Sequence, residues 1–371
     1  MGKVVVTGSQ GFIGRNLVAT LSTQPDIEVL PYDLEDDPGS LEARLAQAEF
    51  VFHLAGVNRP QDPGEFARGN VGLTQRILDI LRTSGRTVPV LISSSTQAAL
   101  ENPYGTSKKE AEDLLAAYGR DTGAPVFVFR LPNVFGKWSR PNYNSVVATF
   151  CHNTAHGLPL EVHDPDRMLS LVHVDDVVAA FLATYQGQPP VGPDGALAIS
   201  RVYAITLGDL ADRIRRFPLT RGTREVPEVG DDLTRRLYSM YLSYLPADAF
   251  AYDLETRRDP RGWLAEVLRS PALGQIFVSK TRPGIARGNH WHHTKTEKFL
   301  VVSGEGVVRF RKLGGSEILE YPVSGEAPRV VDIPPGYTHS ITNTGTTDLI
   351  TLFWASEPFD PTRPDTYALP V

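Results

Sequence analysis

Thr7-Gly8-Ser9-Gln10-Gly11-Phe12-Ile13-Gly14 is the stretch that decides the first half of the fold. Before it, Val4–Thr7 is short and β-branched; after it, Asn16–Ser22 has helical spacing. Glycines at 8, 11 and 14 allow a tight turn, close approach of backbone to a pyrophosphate, and close packing of helix on strand. The free N–H groups at the start of the helix then face the phosphate charge. A glycine triplet alone is a weak signal, but between a strand and a helix it reads as a dinucleotide turn.

Outward from the turn, short apolar runs alternate with helical stretches. Glu28–Tyr32, Phe50–Leu54, Val88–Ser93 and Val126–Leu131 read as strands, and Leu73–Arg82 as one of the helices between them. This alternation predicts an α/β architecture, a Rossmann-type doubly wound parallel sheet with helices on both faces. Asp33 follows the second strand, where an acid hydrogen-bonds a ribose 2′-hydroxyl and disfavours a 2′-phosphate. That favours NADH; Arg15, just after Gly14, pulls toward NADPH. Ser93-Ser94-Ser95 ends the fourth run, and Tyr104 and Lys108 follow at a spacing that shares one helix face. A phenol with an ordinary pKa near 10 needs help to exchange protons at neutral pH, and an adjacent ammonium gives it by stabilising the phenolate.

From about Gly274 the pattern changes to short β-rich runs separated by glycine and proline: Lys298–Val302, Gly306–Arg311, Arg329–Ile333 and Leu349–Trp354. Such runs suit a small antiparallel barrel. Between the halves, Leu207–Phe217 and Asp231–Leu242 read as helices, and Leu245–Asp253 as the boundary. The expected domains are therefore 1–245 and 252–371. In the second, His290 and His292 lie two apart on a strand and point the same way, with Glu297 shortly after and His339 further on. Three imidazoles and a carboxylate are a ligand set for one divalent metal, without selecting among zinc, iron, manganese and nickel.

Bulk properties narrow the classes. At 371 residues the chain is long enough for two cores, and its formal charge of −6 lacks the basic excess of a nucleic-acid binder. The single cysteine, Cys151, excludes an internal disulfide and fits a reducing cytoplasm. No run is apolar enough to span a membrane, and the N-terminus lacks a signal-peptide pattern.

Beyond the glycine turn, His53-Leu54-Ala55-Gly56, Asn70, the Ser95/Tyr104/Lys108 set, Arg130–Gly136 and Val172–Val177 occur in the order of the extended short-chain dehydrogenase/reductases, which the first 245 residues resemble. The resemblance implies Tyr104 as acid–base, Lys108 as its partner on the nicotinamide ribose, and Ser95 as the group that polarises substrate. It implies a dinucleotide cradle of Gly8, Gly11, Phe12, Ile13, Gly14, Asp33, Leu54 and Ala55, and places Asn133 near substrate and nicotinamide. The spacing His290-x-His292-x4-Glu297 with Pro334-x-Gly336-x2-His339 resembles the cupins, apart from Pro328 where a glycine is expected. Asp259–Glu266 resembles the opening of the sugar-nucleotide 3,5-epimerases.

Taken end to end, with Ala55–Pro60, Phe135–Trp138, Pro141–Ser145, Tyr241–Pro246 and Gly288–Lys295, the chain resembles the CapF-type epimerase/reductases of surface-polysaccharide synthesis. That resemblance implies C3 epimerisation of a UDP-linked 2-acetamido-2,6-dideoxy-4-keto sugar in the cupin. NADPH-dependent reduction at C4 would follow, giving UDP-N-acetyl-6-deoxy-L-talosamine. It further implies zinc as the leading metal, a homodimer, and Arg59, Lys137 and Arg140 as candidates for the pyrophosphate or sugar. His293, beside the metal ligands, is a candidate for the epimerisation base. The alternative is a reductase whose cupin is structural or dimer-forming.

Overall fold

The computed structural model describes residues 2–62 and 64–371. The chain forms two compact units, one of Met1–Arg215 with Arg236–Leu245, the other of Arg216–Arg235 with Pro246–Val371.

The first unit is built on a parallel sheet of β1 (Gly2–Thr7), β2 (Ile27–Tyr32), β3 (Phe50–His53), β4 (Val90–Ser95) and β5 (Val126–Leu131), ordered β2-β1-β3-β4-β5. Alternate residues of β1 feed opposite cores: Val4 and Val6 pack with Leu17, Phe52 and Phe181, while Val5 packs with Leu45, Ile77 and Leu115. A sheet covered on both faces needs such continuous apolar strands. The fourth strand begins at Val90 rather than Val88 and runs on to Ser95. Pro89 lacks the N–H needed to join the ladder. A smaller sheet joins Asn133–Phe135, Met168–His173 and Tyr203–Thr206.

The second unit is the expected all-β barrel. One antiparallel sheet runs Val330–Ile333, Glu297–Ser303, Leu349–Ala355, Gly274–Thr281, Gly262–Ser270, Thr256–Asp259. The other runs Ile318–Ser324, Glu305–Lys312, Tyr337–Asn343, Ala286–Trp291, Tyr367–Ala368. Their inner faces alternate in period two, with Val308 and Phe310 buried beside Phe299, Val301, Val331 and Ile341. The ladder still forms at Val330 despite Pro328.

The segment Arg216–Arg235 departs from the expected division, since it belongs with the barrel. Glu225 bridges Arg269, and Val226 N–H donates to Arg269 O at 2.9 Å. The helix expected to reach Phe217 ends at Arg215, because Pro218 disfavours helical geometry in the residue before it. The next helix, Asp232–Leu242, is capped by Asp231, whose carboxylate accepts the Thr234 N–H at 2.9 Å.

Candidate functional site

The glycine turn sits at the carboxyl end of the parallel sheet, where open α/β sheets bind ligands. Gly8 has φ +69°, and a Cβ there would stand 2.6 Å from Ala55 N. A Cβ on Gly14 would stand 2.0 Å from Gly8 O, and one on Gly11 3.1 Å from the same oxygen. The cradle therefore has room for backbone alone, as a phosphate turn requires, and Leu54 and Ala55 form its opposite wall. Phe12 and Ile13 begin the helix Phe12–Leu21 and pack against the apolar core. Asp33 braces this turn: its carboxylate accepts Gln10 N–H at 2.6 Å and Leu34 N–H at 2.8 Å. Arg15 lies over the Trp138 ring, 5.3 Å from its centroid. His53 is buried between Thr7 Oγ1 and Thr74 Oγ1, each 2.8 Å away. Burial, with the Lys108 charge adding to it, lowers its pKa to about 3.

The three serines at the end of β4 do different work. Ser93 O accepts Lys108 Nζ at 2.8 Å, and Ser94 Oγ donates to Glu112 Oε1 at 2.5 Å. The Ser95 hydroxyl stands close enough to the Tyr104 phenol to favour its ionised form, and it accepts the Gln97 N–H at 3.2 Å. Tyr104 and Lys108 share the helix Pro103–Thr122, which Asn102 caps by accepting Gly105 N–H at 2.9 Å. Gly105 is required there, because a Cβ would stand 2.1 Å from Gln97 O. Tyr104 and Lys108 thus share one helix, with Ser95 beside the phenol and the ammonium on Ser93 O.

One expectation fails: Lys108 does not lower the Tyr104 pKa. Burial raises the phenol, and only Ser95 works against it. Lys108 is itself lowered to about 8 by burial, with Glu112 resisting the fall. Its ammonium donates to the Ser93 carbonyl. Glu112, paired with Arg130 (Nη2 to Oε2 2.6 Å), is a participant the sequence reading missed. Its signal was available, four residues beyond Lys108 on the same helix.

Asn133 is exposed, with its Nδ2 3.4 Å from Ser170 O. Lys137 pairs with Asp175 at 2.8 Å, Arg140 lies over Tyr143, and Arg59 is exposed.

In the barrel, His290, His292, Glu297 and His339 each turn one ligand atom to a common point, all within 4.8 Å of one another. His290 is the register partner of His339, reached across a bulge after Gly288 (φ +95°). The bulge aims the imidazole inward. His292 lies just past the end of its strand rather than on it. Glu297 Oε2 is 3.4 Å from His292 Nε2 and 3.3 Å from His339 Nε2. Two atoms held at about 2.0–2.1 Å from one tetrahedral ion would stand apart by about 3.3 Å. Both Nε2 atoms are buried without a hydrogen-bond partner. These donors fit a divalent ion.

Burial alone would raise Glu297, but the His292 and His339 contacts outweigh it and hold the carboxyl well below its usual range. Burial lowers His290 to about 4, reinforced by His339. A cavity of about 240 Å³ opens beside the cluster, lined by His290, His292, Glu297, Lys295, Glu266 and Arg224 among others. Glu266 is gripped by Arg269 (Nε to Oε1 2.6 Å), Gln275 (2.8 Å) and Arg224 (3.4 Å). His293 does not face this cavity. It is exposed and packs edge-on against Trp291 and Tyr367, with centroids 4.5 and 5.1 Å away, so it is not placed to act as the base.

Fold and site together define a short-chain dehydrogenase/reductase joined to a cupin with a metal-type donor set. A family profile described as NAD dependent epimerase/dehydratase matches residues 4–192, and one described as polysaccharide biosynthesis C-terminal domain matches 257–367. A UDP-2-acetamido-2,6-beta-L-arabino-hexul-4-ose reductase of Pseudomonas aeruginosa is 45% identical, over 100% of this chain and 99% of that protein. The crystal structure of the capsular polysaccharide assembling protein CapF from Staphylococcus aureus aligns with TM-score 0.94 and 45% identity, covering 99% of this chain and 100% of that one. The UDP-glucuronic acid 4-epimerase of Bacillus cereus shares the fold of the first unit, at 17% identity, TM-score 0.51, and 58% and 83% coverage of this chain and that one. The chain therefore belongs to the NAD dependent epimerase/dehydratase family, in its CapF-type branch with the polysaccharide-biosynthesis C-terminal domain.

Proposed function

We propose that the protein is a bifunctional nucleotide-sugar enzyme. Its cupin inverts C3 of a UDP-linked 2-acetamido-2,6-dideoxy-4-keto sugar, and its reductase site then reduces the C4 ketone to UDP-N-acetyl-6-deoxy-L-talosamine. One observation carries the reading: a single chain holds the Ser95/Tyr104/Lys108 set behind a glycine cradle and, in its barrel, a four-donor cluster opening on a cavity. The 4-keto reductase name borne by the Pseudomonas aeruginosa relative supports the substrate class.

At the reductase site, Gly8, Gly11, Phe12, Ile13, Gly14, Asp33, Leu54 and Ala55 would hold the dinucleotide, whose nicotinamide would supply hydride to sugar C4 when bound. Ser95 orients the C4 oxygen by hydrogen bonding, and Tyr104 delivers its proton to that oxygen as hydride arrives at carbon. Lys108, which donates to Ser93 O here, would hold the nicotinamide ribose. Asn133 contacts the sugar beside the nicotinamide, and Arg59, Lys137 and Arg140 bind the diphosphate. NADPH is accepted as well as NADH, with Arg15 or a loop residue supplying the contact to its 2′-phosphate despite Asp33.

At the cupin site, His290, His292, Glu297 and His339 would hold one divalent ion, with zinc the leading candidate by resemblance and not by the donor set alone. Such an ion would supply Lewis-acid polarisation of a sugar oxygen. The C3 proton is acidic because the neighbouring ketone accepts the charge as an enolate; its return from the opposite face inverts C3.

The test is incubation with the 4-keto UDP-sugar in deuterium oxide, with and without NADPH, followed by NMR. Exchange at C3 without NADPH, surviving Tyr104→Phe and lost in His290→Ala, is the expected result. Loss of exchange in Tyr104→Phe refutes two independent stations and leaves a reductase with a structural cupin.

A further inference from the structure

Asp365 lies far from the donor cluster in sequence but against it in space. Its carboxylate accepts three successive backbone N–H groups, His293 at 2.9 Å, Thr294 at 3.0 Å and Lys295 at 2.9 Å, and the Thr294 hydroxyl at 3.2 Å. Successive N–H groups converging in this way form an anion-binding nest, and the anion here is the protein's own. Its backbone oxygen accepts Nδ1–H of His292 at 2.6 Å. One residue therefore grips the loop between His292 and Glu297 and also fixes the tautomer of His292. With the proton on Nδ1, the Nε2 lone pair is free to face the other donors.

The backbone at Asp365 is unusual. Its φ is +36°, a region that side-chain-bearing residues rarely adopt. The neighbouring residues reinforce the hold: Lys295 Nζ donates to Pro364 O at 3.0 Å and approaches Thr366 Oγ1 at 3.3 Å. Beyond them, Tyr367 and Ala368 pair with Trp291 and His290, and Leu369 N–H donates to Asn289 O at 2.9 Å. The tail is laid along the strand that carries His290.

We infer that Asp365 is the positioning residue of the metal centre, holding the His292–Glu297 loop in ligating geometry and setting the His292 tautomer. The inference rests on the reading that the four donors hold a divalent ion. It needs no epimerase activity to be tested. The full-length protein is stripped with a chelator and titrated with Zn²⁺ against a chromophoric chelator, and loaded in parallel with Co²⁺ for its visible absorption spectrum. Asp365→Ala should bind Zn²⁺ about 10- to 100-fold more weakly than wild type, as loss of a group that orients a ligand does elsewhere, and its Co²⁺ spectrum should change. Asp365→Asn retains one oxygen for the N–H groups and should fall between the two.

Wild-type affinity in Asp365→Ala overturns the inference. So does a lowered melting point of the metal-free protein with an unchanged Co²⁺ spectrum, the mark of a merely structural role. Where Asp365→Ala does not fold, Asp365→Asn decides on the same two readouts. A wild-type protein that binds neither ion overturns the metal reading itself, a result distinct from loss of affinity in the variants alone.

Discussion

Gly14→Ala tests the cofactor cradle at its tightest point. The new Cβ would stand 2.0 Å from Gly8 O, 2.8 Å from Gly8 C and 2.9 Å from Ser9 Cα. An ordinary carbon–oxygen contact is about 3.3 Å, so the turn must open by roughly 1.3 Å. None of the three obstructing atoms is the end of a flexible side chain, and Gly8 O also accepts the Gly11 N–H at 3.0 Å. Moving that carbonyl moves the N–H groups that face the pyrophosphate. Overpacking of this kind costs about 1–3 kcal/mol. If that cost falls on the bound turn, Kd for NADPH rises about 5- to 150-fold. Nicotinamide fluorescence titration measures it, with Gly222→Ala as control, since a Cβ there meets nothing within 4 Å. NADPH affinity in Gly14→Ala within twofold of wild type would refute the argument that this turn is the cradle.

Three further outcomes follow from the sites. Tyr104→Phe should lower C4 reduction by about 10²- to 10⁴-fold, because the proton donor is removed; NADPH oxidation under saturating substrate checks it. Stripping the ion, or Glu297→Gln, should abolish C3 exchange while leaving reduction of the C3-inverted 4-keto sugar intact; parallel loss of both sinks the assignment of the stations. His53 contributes a pH dependence. Its folded pKa of about 3 lies below the ordinary 6.5, so the folded state binds fewer protons between those values. Its contribution is present above 6.5 and is lost as pH falls toward 3, by about 1.4 kcal/mol per pH unit. Urea unfolding at about pH 7 and about pH 5 should show this loss in wild type and not in His53→Gln.

The sequence was readable where one residue has one structural use. Gly8 and Gly14 lie where a Cβ cannot, Gly11 where one would be tight, and the spacing of Tyr104 and Lys108 could be converted directly into a shared helix face. Two kinds of information were hidden. Orientation was one: His293 stands next to a donor in sequence, yet the aromatic rings of Trp291 and Tyr367 hold it outside. Long-range closure was the other. Asp365 meets His292 across 73 residues, and Arg224 meets Glu266 across 42. No local periodicity encodes either pairing. The Lys108 expectation failed for a third reason: proximity on a helix face fixes position, while burial raises the phenol and lowers the ammonium.

The two proposed reactions have a forced order, and isotopic labels expose it. Reduction at C4 removes the ketone and with it the acidity of the C3 proton, so a chain that reduced first would leave C3 uninverted. Epimerisation first opens C3 to exchange, because the proton leaves one face as the enolate forms and a proton returns to the other. Under NADPH in deuterium oxide, the reduced product should therefore carry deuterium at C3 and protium at C4, the latter from the dinucleotide. With hydride-labelled NADPH in ordinary water the pattern reverses, label at C4 and none at C3. Mass and NMR analysis of the product reads both positions at once. Protium at C3 in the first experiment breaks the sequence of steps even where overall turnover is normal, for it means that the product formed without passing through the cupin.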